Sequence, residues 1–250
     1  MILRPLIDII NKRKGISDMW EKKIVNVVKE KIASPTYINK LAKDMYEFLF
    51  LEEKKEFENF YFLILSIKNS NEKQEIMDFF LDIISGSFYI EIENYFVLFY
   101  NLKLDIEIDK LILSLSEDFS VNIRLFSSGK VSFENPNNFY EIYQIYKKYL
   151  DKDNLYYCSN KELIMELYNK DNDSLLRIKP IIISKVLADH QLENLVYAFV
   201  NNNLNITKTA KDIYMHRNTI NNKLDLIYKE TKLNIRHFHD AMALLLLLSL

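Results

Sequence analysis

Residues 206–235 read ITKTAKDIYMHRNTINNKLDLIYKETKLNI. Two short amphipathic stretches meet in this segment. Thr207 can cap the first through its hydroxyl, and Ala210 and Ile213 form its inward face. A residue as small as Ala210 lets that helix cross close to the next. Tyr214-Met215 makes the turn. His216 stands where the second helix begins, with a ring nitrogen able to accept from a free backbone amide. In the second helix, about 217–229, Ile220, Leu224 and Ile227 recur at inward spacing. Arg217, Asn218, Asn221, Asn222 and Asp225 fall on the opposite side. The pattern predicts a helix-turn-helix.

Such a unit has a chemistry of its own. A helix of about ten residues fits the major groove of DNA, with its N-terminal residues at the base edges. Arg217 can fork onto guanine or a phosphate, and Asn221 or Asn222 can bridge the donor and acceptor edge of adenine. Thr207, Thr209, Thr219 and Lys223 suit phosphate contacts, which fix register. His216 reads as a helix cap more than as a base reader, and Asn218 joins the outward set.

The flanks complete an all-helical unit over 183–250. Leu192, Leu195, Val196 and Phe199 lay one apolar stripe along a preceding helix, and Asn201-Asn202-Asn203 ends it. Asparagine tolerates the left-handed conformation that a helix end needs. The tail AMALLLLLSL is about half the length of a membrane span and reads as a buried helix, with no membrane partner expected.

Thr209-Ala210, His216-Arg217-Asn218-Thr219-Ile220, Lys223-Leu224 and Ile227 together resemble the C-terminal signature of the PucR/CdaR regulators of purine and sugar-diacid metabolism. That signature runs approximately T-A-x-x-L-x-x-H-R-N-T-L-x-x-R-L-x-x-I. The resemblance spans about 60 residues and continues through Thr231–Ile235 into the tail helix. It implies a Fis-like helix-turn-helix, usually dimeric, preceded by a catalytically dead GGDEF-like domain. Two departures carry consequences. Asn221-Asn222-Lys223 stands where the family often has Arg-Tyr-Arg, which implies a lighter phosphate grip or a site richer in A·T. Lys232 replaces the glycine that usually ends the reading helix, which argues against a left-handed cap there.

Upstream, the chain changes character. Residues 1–55 read as helices, first on Trp20, Ile24, Val27, Val28 and Ile32, then on Ile38, Leu41, Ala42, Met45 and Leu49. The apolar run Phe60–Ser66 suits a strand buried on both faces. A helix follows over 72–84. Strands Phe88–Ile92 and Tyr95–Tyr100 flank the turn Glu93-Asn94. Next come a helix face on Ile108, Leu111, Ile112 and Leu115 and a strand over 121–126. The order is β-α-β-β-α-β, an α+β sandwich with helices on one face of a mostly antiparallel sheet. A Tyr-rich helix over 140–149 is expected to pack on that sheet, and Tyr156-Tyr157 opens a last short strand. The expected organisation is an N-terminal helical segment (1–55), a non-catalytic GGDEF-like domain (56–175) and the helix-turn-helix domain (183–250). The polar patch Asn169–Ser174 is the candidate boundary.

Composition bounds the function. With 3 Gly and 4 Pro in 250 residues, Gly-rich phosphate loops are excluded. One cysteine, Cys158, allows neither an internal disulfide nor a thiolate cage, and fits a reducing cytoplasm. The N-terminus lacks a signal-peptide pattern, Asp8 interrupting its apolar run. Net charge is −2 overall. It divides into +4 over 1–55, −8 over 56–182 and +2 over 183–250, so the ends can approach a polyanion and the middle repels one. His190, His237 and His239 lack acidic partners at ligand spacing, so neither metal nor cofactor is expected. A cyclase needs a Gly-Gly turn at the hairpin, where this chain has Ile92-Glu93-Asn94-Tyr95, so no enzyme is expected. The expected partners are double-stranded DNA, a second copy in a homodimer and a small-molecule effector on the α+β domain. The alternative is a helix-turn-helix that has lost DNA binding and serves as an interaction or ligand-sensing module.

Overall fold

The computed structural model describes residues 40–250 apart from positions 52, 58, 69–70, 103, 105–106 and 153–154. The Trp20–Ile32 stretch therefore lies outside the described residues. Ile38 of the second stretch also lies outside them; the rest of it falls in α1 (Lys40–Phe50), which buries Ala42, Met45 and Leu49 but leaves Leu41 exposed.

A five-stranded sheet follows: β1 (Tyr61–Lys68), β2 (Phe88–Ile92), β3 (Tyr95–Tyr100), β4 (Asn122–Ser127) and β5 (Tyr157–Ser159). Their spatial order is β2-β3-β1-β4-β5. Pairing is antiparallel from β2 through β4, with Leu63 opposite Leu98 and Ser127, and β5 joins β4 in parallel. The parallel step needs a crossover, and α4 (Asn137–Ile145), extended by one π-helical turn over Tyr146–Leu150, supplies it. The hairpin turn forms without glycine. Glu93 takes φ 57, and its carboxylate pairs with Lys147 of the π turn.

The sheet corrects one expectation. Helices cover both of its faces. On one side Tyr61, Leu63, Leu65 and Ile67 pack with α2 (Lys73–Ile83) and α3 (Ile108–Asp118) through Ile76, Phe80, Ile112 and Leu115. On the other side Phe62, Ile64, Phe99 and Phe126 meet α1 and α4. The reason is in the strands. β1 and β3 are apolar at both alternating sets of positions, so neither face can be left to water. The tyrosine-rich helix does pack on the sheet, with Phe139 edge-on to Phe62 at 5.3 Å and stacked on Tyr143 at 5.5 Å.

The second face does not stop at the sheet. Its core runs on through α5 (Asn160–Lys170), α6 (Asn172–Ile182) and α7 (Ser184–Leu187) into α8 (His190–Asn201), α10 (Arg217–Thr231) and α11 (Phe238–Ser249). The apolar tail is the buried helix expected, with Ala241, Ala243, Leu244 and Leu247 inside. No helix among the described residues is long and apolar enough to cross a membrane.

The Asn169–Ser174 patch is a tight corner between two packed helices. Asp171 ends α5 and caps α6, accepting from the Ser174 amide at 3.0 Å, the Ser174 hydroxyl at 2.7 Å and the Tyr149 hydroxyl at 2.9 Å. These donors hold its carboxyl down at about 2. Replacing Asp171 by Ala should cost about 1–2 kcal/mol in urea unfolding at neutral pH. A folded-state value below the ordinary 3.8 means the contribution is present above that ordinary value and is lost as pH falls through about 2. The gap between wild type and variant should therefore close on acidification; a gap that stays constant to pH 2 would contradict the assigned role.

Candidate nucleic-acid interface

α8 ends in asparagines, as their tolerance of left-handed backbone allows. Asn203 takes φ 55 and Leu204 φ 58, and the Leu204 amide donates to the Phe199 carbonyl at 2.9 Å. This reversal aims the chain into α9 (Ile206–Asp212). The cap of α9 is Asn205, whose side chain accepts from the Lys208 amide at 3.0 Å. The expectation that Thr207 caps it is thereby corrected. Thr207 lies two residues further on, inside the first turn, half-buried.

Thr209 was expected among the phosphate contacts and cannot make one. Its side chain is fully buried, and its hydroxyl donates to the Asn205 carbonyl at 2.9 Å. A hydroxyl satisfied by the carbonyl four residues back can face a core without penalty. Thr209 therefore packs inward with half-buried Ala210 and Ile213, where α9 crosses α10.

α9 closes with the Ile213 amide on the Thr209 carbonyl and the Met215 amide on the Ala210 carbonyl, both at 3.0 Å, around Tyr214 at φ 53. This is a Schellman end with tyrosine at the position glycine usually holds. His216 then caps α10 as expected: its Nδ1 accepts from the Asn218 amide at 3.2 Å, which requires the neutral Nε2–H tautomer. Ile220, Leu224 and Ile227 are buried and pin the helix to the core.

The outward residues divide into two groups. His216, Arg217, Asn218, Thr219 and Asn222 are exposed. With half-buried Thr207 and exposed Lys211, the first three of them line a shallow cleft between α9 and α10. Lys211 was missed in the sequence. The signal was available: positions 207 and 211 lie one helical turn apart and share a face. No acidic side chain occupies the first turn of α10, so its N-terminal partial positive charge adds to that of Arg217 and Lys211.

The second group is held by the protein. The Lys223 side chain is only 17% exposed, and its ammonium lies 3.6 Å from Asp189, the N-cap of α8. An acid at the start of another helix thus shares the charge expected to meet a phosphate. Half-buried Asn221 accepts from the Arg236 guanidinium at 3.3 Å through both its side-chain and backbone oxygens, and Arg236 also pairs with Asp225 at 2.9 Å. Bidentate reading of adenine needs both ends of the amide. With the Asn221 oxygen engaged, exposed Asn222 is the more open asparagine of the two.

The far end of α10 is seated on the sheet. The Lys130 amide, just past β4, donates to the Glu230 carbonyl at 2.7 Å, and the Asn160 amide group donates to the Thr231 carbonyl at 2.8 Å. A Cβ on Gly129 would stand 2.6 Å from that Glu230 oxygen and 2.9 Å from the Thr231 carbonyl carbon. Lys232 takes φ 58, so the left-handed end forms without glycine, and the lysine ammonium lies 5.4 Å from the Tyr61 ring centre and 5.6 Å from that of Tyr228. Cation–π attraction of this kind offsets the backbone cost.

Residues 192–250 match the family model of the PucR C-terminal helix-turn-helix domain. The C-terminal unit is a PucR-type helix-turn-helix. The chain thus carries the DNA-binding type of domain found in transcription regulators of that name. Comparison with curated protein sequences gives no match. Among solved structures, the chain is similar to the regulator of polyketide synthase expression from Bifidobacterium adolescentis, at 14% identity over 92% of each chain and a TM-score of 0.39.

For this PucR-type unit the seat at Gly129 makes a direct prediction. Gly129→Ala forces backbone apart, since the atoms it meets belong to main chain; it should cost about 1–3 kcal/mol in chemical denaturation. Unchanged stability would mean that α10 does not rest there.

Proposed function

We propose that this protein is a sequence-specific DNA-binding transcription regulator that places the N-terminal turn of α10 in the major groove. The observation that carries this reading is the exposed edge His216-Arg217-Asn218-Thr219, at the free end of a fifteen-residue helix whose other face is buried. Arg217 is the residue positioned to fork onto a guanine or a phosphate, with Asn218 and Asn222 beside it as amide readers. Thr207, Lys211 and Thr219 contact phosphates and set register. The protein acts as a homodimer, its two α10 helices addressing half-sites one or two turns of duplex apart. The sheet domain is non-catalytic and receives the signal, a small-molecule effector. Its hairpin turn supports that assignment, because Glu93 there is paired to Lys147 and does not form an open glycine turn.

Purified protein should retard the duplex that precedes its own coding sequence, with affinity falling steeply as salt rises. Arg217→Ala should abolish the shift or weaken it by about tenfold or more, and should reduce the slope of log affinity against log salt by about one. Lys223→Ala should leave that slope unchanged, because its charge is already spent on Asp189. Retention of full affinity in Arg217→Ala, or binding indifferent to salt, would refute the proposal.

A further inference from the structure

Tyr214 is 97% exposed, the most exposed large hydrophobic side chain among the described residues; Phe238 follows at 63%. It also holds φ 53, at the Schellman position that closes α9. Both features oppose folding. A left-handed backbone is costly for any residue with a Cβ, and most of all for one without the short polar side chain of Asn or Asp. Tyrosine normally recovers such a cost by burying its ring, and this ring is left almost wholly exposed. Met215 beside it does pack against the core, so the turn is held by its neighbour and not by Tyr214. Glycine at 214 would serve the fold better.

The position explains what the ring can meet. Tyr214 lies two residues before the His216 cap and three before Arg217, in the turn that leads from α9 into the edge assigned above to the major groove. A duplex seated on that edge presents its sugar–phosphate backbone to the turn. A phenol suits that surface, since its hydroxyl donates to a phosphate oxygen and its ring covers the apolar edge of a deoxyribose. We infer that Tyr214 is a DNA-backbone contact, a neutral clamp that fixes how deep the N-terminus of α10 sits in the groove. This inference rests on the DNA-binding reading and adds a residue to it.

The test compares wild type, Tyr214→Gly and Tyr214→Phe on the same upstream duplex, with thermal unfolding alongside. Tyr214→Gly should melt at or above the wild-type temperature, because it relieves the left-handed strain, and yet bind about tenfold less tightly. Tyr214→Phe should fall between the two in affinity. Because the clamp carries no charge, the salt slope should be the same in all three, in contrast to Arg217→Ala. Wild-type affinity in Tyr214→Gly, with wild type itself binding, would overturn this inference alone. Failure of wild type to bind any duplex would overturn the DNA-binding reading with it. A lower melting temperature in Tyr214→Gly would show that the ring serves the fold, and would also overturn it.

Discussion

Main-chain hydrogen bonding sets where α10 points. The last turn of any α-helix leaves carbonyls without partners inside the helix. In α10 two of these are taken by the sheet domain, through the Lys130 amide and the Asn160 side chain. Gly129 permits the contact because the gap between loop and helix has no room for a side chain. Thr231 completes the seat from the other side, donating to Ile227 and accepting from the Leu233 amide. A helix end that is both capped and sterically matched to its neighbour has few alternative arrangements. The helix-turn-helix and the sheet therefore share one geometry.

That geometry needs a stiff base, and the two-faced sheet provides it. Strands β1 and β3 are buried along nearly their whole length, between α2 and α3 on one side and α1 and α4 on the other. Aromatic rings fill much of the space, with Phe60, Phe88, Phe99, Phe133 and Phe139 in mutual contact. Burial holds the phenols of Tyr143 and Tyr146 well above their ordinary range, so these side chains stay neutral and do not disturb the core at any ordinary pH.

Much of this arrangement was legible in the sequence, and the exceptions have a common cause. The strand and helix order, the Asn-rich end of α8, the His216 cap and the inward set Ile220, Leu224 and Ile227 all follow from local pattern. Local pattern places a residue on a face of its own helix. It does not say which groups from elsewhere meet that face. Thr209 looks like a phosphate ligand because threonine often is one, but its side chain is fully buried and its hydroxyl is taken by the Asn205 carbonyl. Lys223 and Asn221 do point away from the apolar stripe, but Asp189 and Arg236 reach them from other segments. Lys232 looked unsuited to a left-handed end; the rings of Tyr228 and of distant Tyr61 make it tolerable. A short apolar run such as β1 shows that both faces are buried but not what covers the second one, and here helices cover both.

The division of α10 into a held end and a free end bears on how such a helix can read sequence. Fifteen residues span about 22 Å, so a tilt of about three degrees at the seat moves the opposite tip by about 1 Å. Hydrogen bonds to base edges weaken over a similar displacement. Arg217 and Asn218 are thus as well placed as the seat beneath Glu230 is rigid. On the proposed reading, the residues that meet DNA and the residues that set their position lie at opposite ends of one helix. A shift of the strand-exit loop at 128–131 would tilt α10 and displace Arg217 and Asn218, with no change in those residues themselves.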